Sequence, residues 1–197
     1  MTQIAHLVSF LLLVLTQGIL ATSGLTGVCR SRNYTSVADF DAIRYLGTWF
    51  EITRSESFPF GRDCVCVTAQ YSLINSKAVK VDNTCRKNEV TAAPFSQIGR
   101  ARIVRPGTGA LRVSFFLHRI PFIRRLFEAG YDVVLLDPEY QWAGVVSCSR
   151  VAGSNFWILA RTPTLDEELI YDIYNKASDM GIDLTDQMRT TQEGCWK

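Results

Sequence analysis

From residue 47 onward the chain alternates. Val65, Val67, Ala69, Tyr71 and Leu73 stand against Cys64, Cys66, Thr68, Gln70 and Ser72, a period of two that marks a half-buried β-strand. Asn75-Ser76 then turns the chain into Val79, Val81 and Asn83, opposed by Lys80, Asp82 and Thr84, so the two segments form an antiparallel hairpin. Segments 47–54, 98–104, 111–117, 131–137, 142–148 and 156–161 are further strands, which brings the count to eight. Short hairpins join them and no crossover helix intervenes. Such a series suits an up-and-down barrel better than a sandwich with long key connections, because closure removes the exposed edges. One helix follows: Thr164 and Glu167 form a capping box, Leu165, Leu169, Ile173, Ala177 and Met180 recur at helical spacing, and Gly181 is a fitting stop. Its single apolar stripe places it against the outside of the barrel. The expected fold class is therefore all-β: an eight-stranded antiparallel up-and-down barrel with one C-terminal α-helix packed outside.

Ahead of this series, Leu7 to Leu20 is apolar apart from Ser9, Thr16, Gln17 and Gly18, and ends in the small residues Ala21-Thr22-Ser23-Gly24. The run is shorter than the roughly 20 apolar residues of a bilayer span. Residues 1–23 therefore read as a cleaved signal peptide, although its n-region offers only His6 as a basic group. Residues 24–197 form one domain, large enough for a sizeable core. Net charge is +2, and the basic residues are scattered except around 119–125, so no nucleic acid partner is implied. The six cysteines, Cys29, Cys64, Cys66, Cys85, Cys148 and Cys195, all follow the leader. In an oxidising compartment they would form three disulfides. A zinc site would have to use Cys64-Val65-Cys66, whose spacing is tighter than the usual ligand pair, with His118 as the one mature histidine. Neither a metal nor a cofactor is expected. Asn33-Tyr34-Thr35 is a glycosylation sequon, consistent with a secreted, extracellular protein.

Gly47 stands two residues before Trp49 at the start of the first strand, which suggests a barrel floor closed by an indole. Arg161, at the end of the last strand, is the natural neighbour of Trp49, since both strand ends meet where the barrel closes. A guanidinium over an indole contributes roughly 0.5 to 2 kcal/mol. Gly47, Trp49 and Arg161 are thus read as barrel-closing residues rather than ligand contacts.

Phe40-Asp41 with Tyr45-Leu46-Gly47-Thr48-Trp49-Phe50-Glu51-Ile52, then Tyr131-Asp132-Val133-Val134 with Leu136-Asp137 and Tyr140, then Phe156-Trp157-Ile158-Leu159-Ala160-Arg161-Thr162-Pro163, follow in order across almost the whole mature chain. In these stretches the sequence resembles the lipocalins, and within them apolipoprotein D, the bacterial outer-membrane lipocalins and the plant chloroplastic lipocalin. Cys64-Val65-Cys66 with Tyr71-Ser72-Leu73, and Val81-Asp82-Asn83-Thr84-Cys85, are similar to the chloroplastic member in particular. The second motif departs from the family's Thr-Asp pair, reading Leu136-Asp137 with Pro138 after it. The resemblance implies the Trp49 and Arg161 pairing, with Arg161 also hydrogen-bonded to the N-terminal crossover. It implies the disulfides Cys29–Cys148 and Cys66–Cys195, which leaves Cys64 for Cys85. Closing the first of these loops would stabilise by up to ~4.7 kcal/mol in the chain-entropy model. Strict alternation objects to the last pair, because Cys64 lies opposite the face of Val65 while Cys85 shares the face of Val79 and Val81. A bulge or a strand end must intervene.

The inward faces of the strands are Tyr71, Val79, Val81, Asn83, Ala101, Ile103, Val113, Phe115, Trp157 and Leu159, and the resemblance carries ligand contact best onto Tyr71, Asn83 and Trp157. An eight-stranded barrel is either filled by its own side chains or holds one small ligand. Aromatic rings mixed with the polar ends of Tyr71 and Asn83 suit an amphiphile. Burying roughly 300 Å² of ligand at ~25 cal/mol/Å² gives ~7 kcal/mol before binding costs, consistent with micromolar affinity or a little tighter. Loops 56–63, 86–97, 118–130 and 151–155 fall at the mouth. The third carries Phe122, Ile123 and Phe127 among Arg119, Arg124 and Arg125, a composition that fits either a lid or peripheral contact with an anionic membrane.

The function expected is that of a secreted, monomeric carrier of a small hydrophobic or amphiphilic ligand: a lipid, fatty acid, sterol, retinoid or tetrapyrrole. An enzyme is not expected. Fully paired cysteines leave no thiolate, His118 stands away from any Ser or Cys at triad spacing, and Glu51 reads as an ion-pair partner near Arg161. The alternatives are a lipocalin-type enzyme acting on a lipid, and a secreted interaction or inhibitor protein that uses the barrel as scaffold.

Overall fold

The computed structural model describes residues 34–59, 61–115, 128–149 and 153–196. Its strands are β1 Gly47–Ser55, β2 Cys64–Asn75, β3 Ala78–Lys87, β4 Pro94–Ile103, β5 Ala110–Ser114, β6 Ala129–Leu136, β7 Trp142–Ser149, β8 Gly153–Ala160 and β9 Gln187–Arg189, with helix α1 Glu167–Asp179 between the last two. From β2 to β8 each strand pairs antiparallel with the next, and β1 pairs with both β8 and β2. Eight strands therefore close into a barrel, and β9 is an added strand with no counterpart in the sequence reading. No described helix is long and apolar enough to cross a membrane.

Two cores form on the two faces of this wall. The inner one gathers Trp49, Tyr71, Val79, Val81, Val113, Val133, Val145 and Leu159, while the outer one packs Ile170, Ile173 and Ala177 of α1 against Ile52, Val134, Val146, Phe156 and Ile158. Strands under the helix are thus apolar on both faces, which is why Val133-Val134 and Val145-Val146 do not alternate in polarity. The helix begins differently from the expected capping box. Asp166, not Thr164, is the N-cap, and its carboxylate accepts from the backbone N–H groups of Glu168 at 2.9 Å and Leu169 at 3.3 Å. Thr164 instead offers its carbonyl to the Thr162 hydroxyl.

Near its start β2 is bulged: the register with β3 shifts between Val65 and Thr68, and Cys66 adopts φ 56°. The irregularity lies where the alternation demanded one, and the structure holds the bonds Cys64–Cys85 and Cys66–Cys195. Cys148 is also disulfide-bonded. The expected partner Cys29, the 1–23 leader, the Asn33 sequon and most of the 118–130 loop lie outside the described residues.

The seam between β1 and β2 is only half made by those strands. Their pairing runs from Gly47↔Tyr71 to Phe50↔Thr68, after which β1 pairs with β9 through Thr53↔Arg189, Arg54↔Met188 and Ser55↔Gln187. Beyond β9, the Cys66 N–H donates to the Thr191 carbonyl at 2.8 Å, and the Gln192 amide donates to the carbonyls of Glu51 and Val67, each at 2.8 Å. Residues 187–195 thus fill a slot in the wall, and the Cys66–Cys195 bond fixes them there.

Candidate ligand site inside the barrel

At one end the barrel is sealed by the segment that precedes β1. Phe40 N–H donates to the Gly107 carbonyl at 3.2 Å and Asp41 N–H to the Tyr140 hydroxyl at 2.8 Å, which holds the crossover beneath the strand ends. Trp49 is fully buried, and its indole N–H donates to the Tyr45 carbonyl at 2.8 Å. The Arg161 guanidinium lies 3.8 Å above that indole ring. Its Nη1, Nη2 and Nε donate to the carbonyls of Thr48 at 2.9 Å, Arg44 at 2.8 Å and Tyr140 at 3.2 Å. Gly47 has φ +95° and leaves room for this group, since a Cβ there would stand 3.3 Å from Arg161 Nη1. The three residues read from sequence as closing the barrel are therefore brought together, and Arg44 lies in the crossover.

Above the floor the inner wall carries Tyr71, Val79, Val81, Ala101, Val113 and Leu159 as buried side chains, with Ile103, Phe115 and Trp157 half-buried against them. Asn83 shares a cross-strand row with Ala69 and Gln97, and its Oδ1 is buried without a hydrogen-bond partner. The assigned wall residues are thus assembled on one face.

Sequence reasoning missed two features of this interior. The first is a cluster of phenols. Tyr131 Oη shares one hydrogen bond with Tyr45 Oη and another with Tyr71 Oη, each 2.9 Å long. Burial raises the pKa of Tyr45 and Tyr131 well above 10 and pushes that of Tyr71 up to about 12. The three phenols border a pocket of about 20 Å³ beside Phe40, Ala42 and Leu46 of the crossover and Val79, Ala101, Leu111 and Val113 of the strands.

The second feature lies further along β1. A bulge between Glu51 and Thr53 sets Thr53 opposite Ile158, on the outer face, and Arg54 opposite Trp157, on the inner one. Arg54 is 1 % exposed and donates to Glu51 at 2.8 Å, with longer contacts to the carbonyls of Cys64 and Arg62. Glu51 also accepts from the Thr190 hydroxyl at 2.6 Å. Its pKa is raised by burial, against the opposing effect of Arg54 and these hydrogen bonds. The ion pair expected between Glu51 and Arg161 is thus made with Arg54 instead, because the bulge turns Arg54 inward. Phe58, in the loop after β1, packs edge-on to Trp157 with ring centroids 5.0 Å apart.

Cys64, Cys66, Cys85, Cys148 and Cys195 are all disulfide-bonded, and no cluster of metal-ligating side chains occurs among the described residues.

An eight-stranded antiparallel barrel, sealed at one end by its N-terminal crossover and lined with apolar and aromatic side chains, defines a cup-shaped class of protein. Residues 40–192 match the family model for the lipocalin-like domain, and the chain belongs to the lipocalin family. It is 36% identical over 164 residues to the outer membrane lipoprotein Blc of Escherichia coli (strain K12), covering 83% of this chain and 85% of that protein. It is 27% identical over 169 residues to apolipoprotein D of Bos taurus, covering 80% and 79%. Among solved structures, lobster apocrustacyanin A1 gives a TM-score of 0.61 at 16% identity, covering 78% of this chain and 81% of that one. Insecticyanin from the tobacco hornworm Manduca sexta gives 0.61 at 19%, covering 80% and 83%. At such identities the structural likeness speaks for the fold alone.

Proposed function

We propose that the protein is a secreted, monomeric carrier that binds one small hydrophobic or amphiphilic molecule inside the barrel. One observation supports this most: above a sealed floor the inner wall presents apolar and aromatic side chains, with polar groups at few points. Tyr71, Val79, Val81, Asn83, Ala101, Val113, Phe115, Trp157 and Leu159 are the wall against which the ligand packs. Gly47, Trp49 and Arg161 hold the floor and leave the ligand alone. Secretion is supported by the disulfides, which form and persist in oxidising compartments.

The test is direct. Protein purified under native conditions from a eukaryotic secretory host is denatured, extracted with organic solvent, and the released small molecules are identified by mass spectrometry. A lipid, sterol, retinoid or tetrapyrrole near one equivalent is the expected result, and the delipidated protein should rebind it at micromolar affinity or a little tighter. An extract without any stoichiometric small molecule, from protein that also fails to take up added lipids, would overturn the reading in favour of a scaffold.

A further inference from the structure

The pocket at the closed end is apolar except at one point. Its lining side chains from the crossover and strands are Phe, Ala, Leu and Val apart from Tyr45, Tyr71 and Tyr131, so the phenols are the polar groups among its lining side chains. Their hydrogen bonds can be counted. Three hydroxyls bring three donors, whereas the cluster contains two contacts, Tyr45 with Tyr131 and Tyr71 with Tyr131. Each contact uses one hydrogen, which leaves one O–H and several lone pairs uncommitted among the described residues.

A buried O–H seeks an acceptor, and leaving it unmatched is costly. The free volume beside it, about 20 Å³, suits a single water-sized group rather than a whole ligand. Among the described residues no lysine, arginine or histidine lines this space. The neighbouring Arg161 directs Nε, Nη1 and Nη2 at backbone carbonyls. Burying a carboxylate without a cation is strongly unfavourable, and phenols whose pKa is raised by burial stay neutral at physiological pH. A neutral oxygen, by contrast, completes the cluster: a ketone accepts the spare O–H, and an alcohol accepts it while donating to a phenol lone pair.

Resting on the carrier reading, we propose that Tyr45, Tyr71 and Tyr131 form a polar subsite at the closed end of the barrel for the terminal ketone or hydroxyl oxygen of the ligand. The ligand then lies with its oxygen toward the floor and its apolar body toward the mouth. Its class is a neutral oxygen-terminated lipid rather than a fatty acid anion.

Three probes of one length test this: 2-nonanone, 1-nonene and nonanoate at neutral pH. Binding of the two volatile probes is measured by headspace partitioning and that of nonanoate by equilibrium dialysis, on wild type and on a variant carrying Tyr45→Phe, Tyr71→Phe and Tyr131→Phe. Loss of the donors should weaken 2-nonanone about tenfold more than it weakens 1-nonene. Wild type should prefer 2-nonanone to nonanoate. Infrared spectroscopy on wild type alone removes dependence on the variant's folding, since the carbonyl band of bound 2-nonanone should lie below its position in hexane. An unshifted carbonyl, equal changes for ketone and alkene in a variant with wild-type circular dichroism, or tighter binding of nonanoate overturns the subsite. Those results, with both neutral probes still bound, leave the carrier reading standing and assign the pocket to water only. Failure of wild type to take up any probe overturns the carrier reading together with the subsite.

Discussion

Arg161 is where three backbone carbonyls and an indole meet one cation. Truncating it removes a cation–π contact and charge-assisted hydrogen bonds, together about 2–4 kcal/mol, or roughly a 5–10 °C fall in Tm. Arg161→Ala should therefore melt early in a thermal scan while retaining wild-type affinity for a barrel ligand. A large loss of affinity at unchanged Tm would move Arg161 into the binding site. Trp49 and Arg161 were readable because a strand start and a strand end must meet at closure, which spacing alone reveals. Arg54 was not, because one bulged residue reverses the face of everything after it and strict alternation cannot see a bulge. Tyr45 escaped because it precedes β1, in a turn where a period of two has no meaning. Tyr131 escaped because β6 is apolar on both faces under α1, so its pattern marks no inner side.

At the scale of elements, the barrel strands were legible in position and direction, with ends that differ by a few residues. Their turn residues and alternation act locally, and local rules suffice for hairpins. β9 obeys no such rule. Gln187-Met188-Arg189 is short, has no apolar partner pattern, and becomes a strand only because the unpaired edge of β1 accepts it. The helix start was misread for a related reason: Thr164 and Asp166 are both good caps, and the choice between them is made by where the chain leaves β8, which no local pattern records. Asp166→Ala should lower stability by about 1 kcal/mol, or roughly 2–4 °C in Tm, while Thr164→Ala should leave it nearly unchanged. Thermal scans of the two single variants would decide, and the reverse order would restore the capping box.

For the whole molecule, the buried phenols couple stability to alkaline pH. Each has a folded-state pKa raised above its ordinary value, so its contribution is fully present below about pH 10 and is lost as pH rises through the folded value, about 12 for Tyr71. Unfolding free energies from urea titrations should fall across that window, by up to about 1.4 kcal/mol per phenol per pH unit. Replacing the three phenols with phenylalanine should flatten the fall, and an unchanged slope would show that they ionise freely in the folded state. The wall itself has a different dependence. Residues 187–195 supply the missing half of the β1 and β2 seam, so the first strand of the barrel is completed by a segment more than 130 residues further along the chain. A chain truncated before residue 187 keeps all eight barrel strands yet leaves Thr53, Arg54 and Ser55 of β1 and the Cys66 N–H of β2 without the backbone partners that close the seam, so that truncation should leak ligand from an otherwise intact wall.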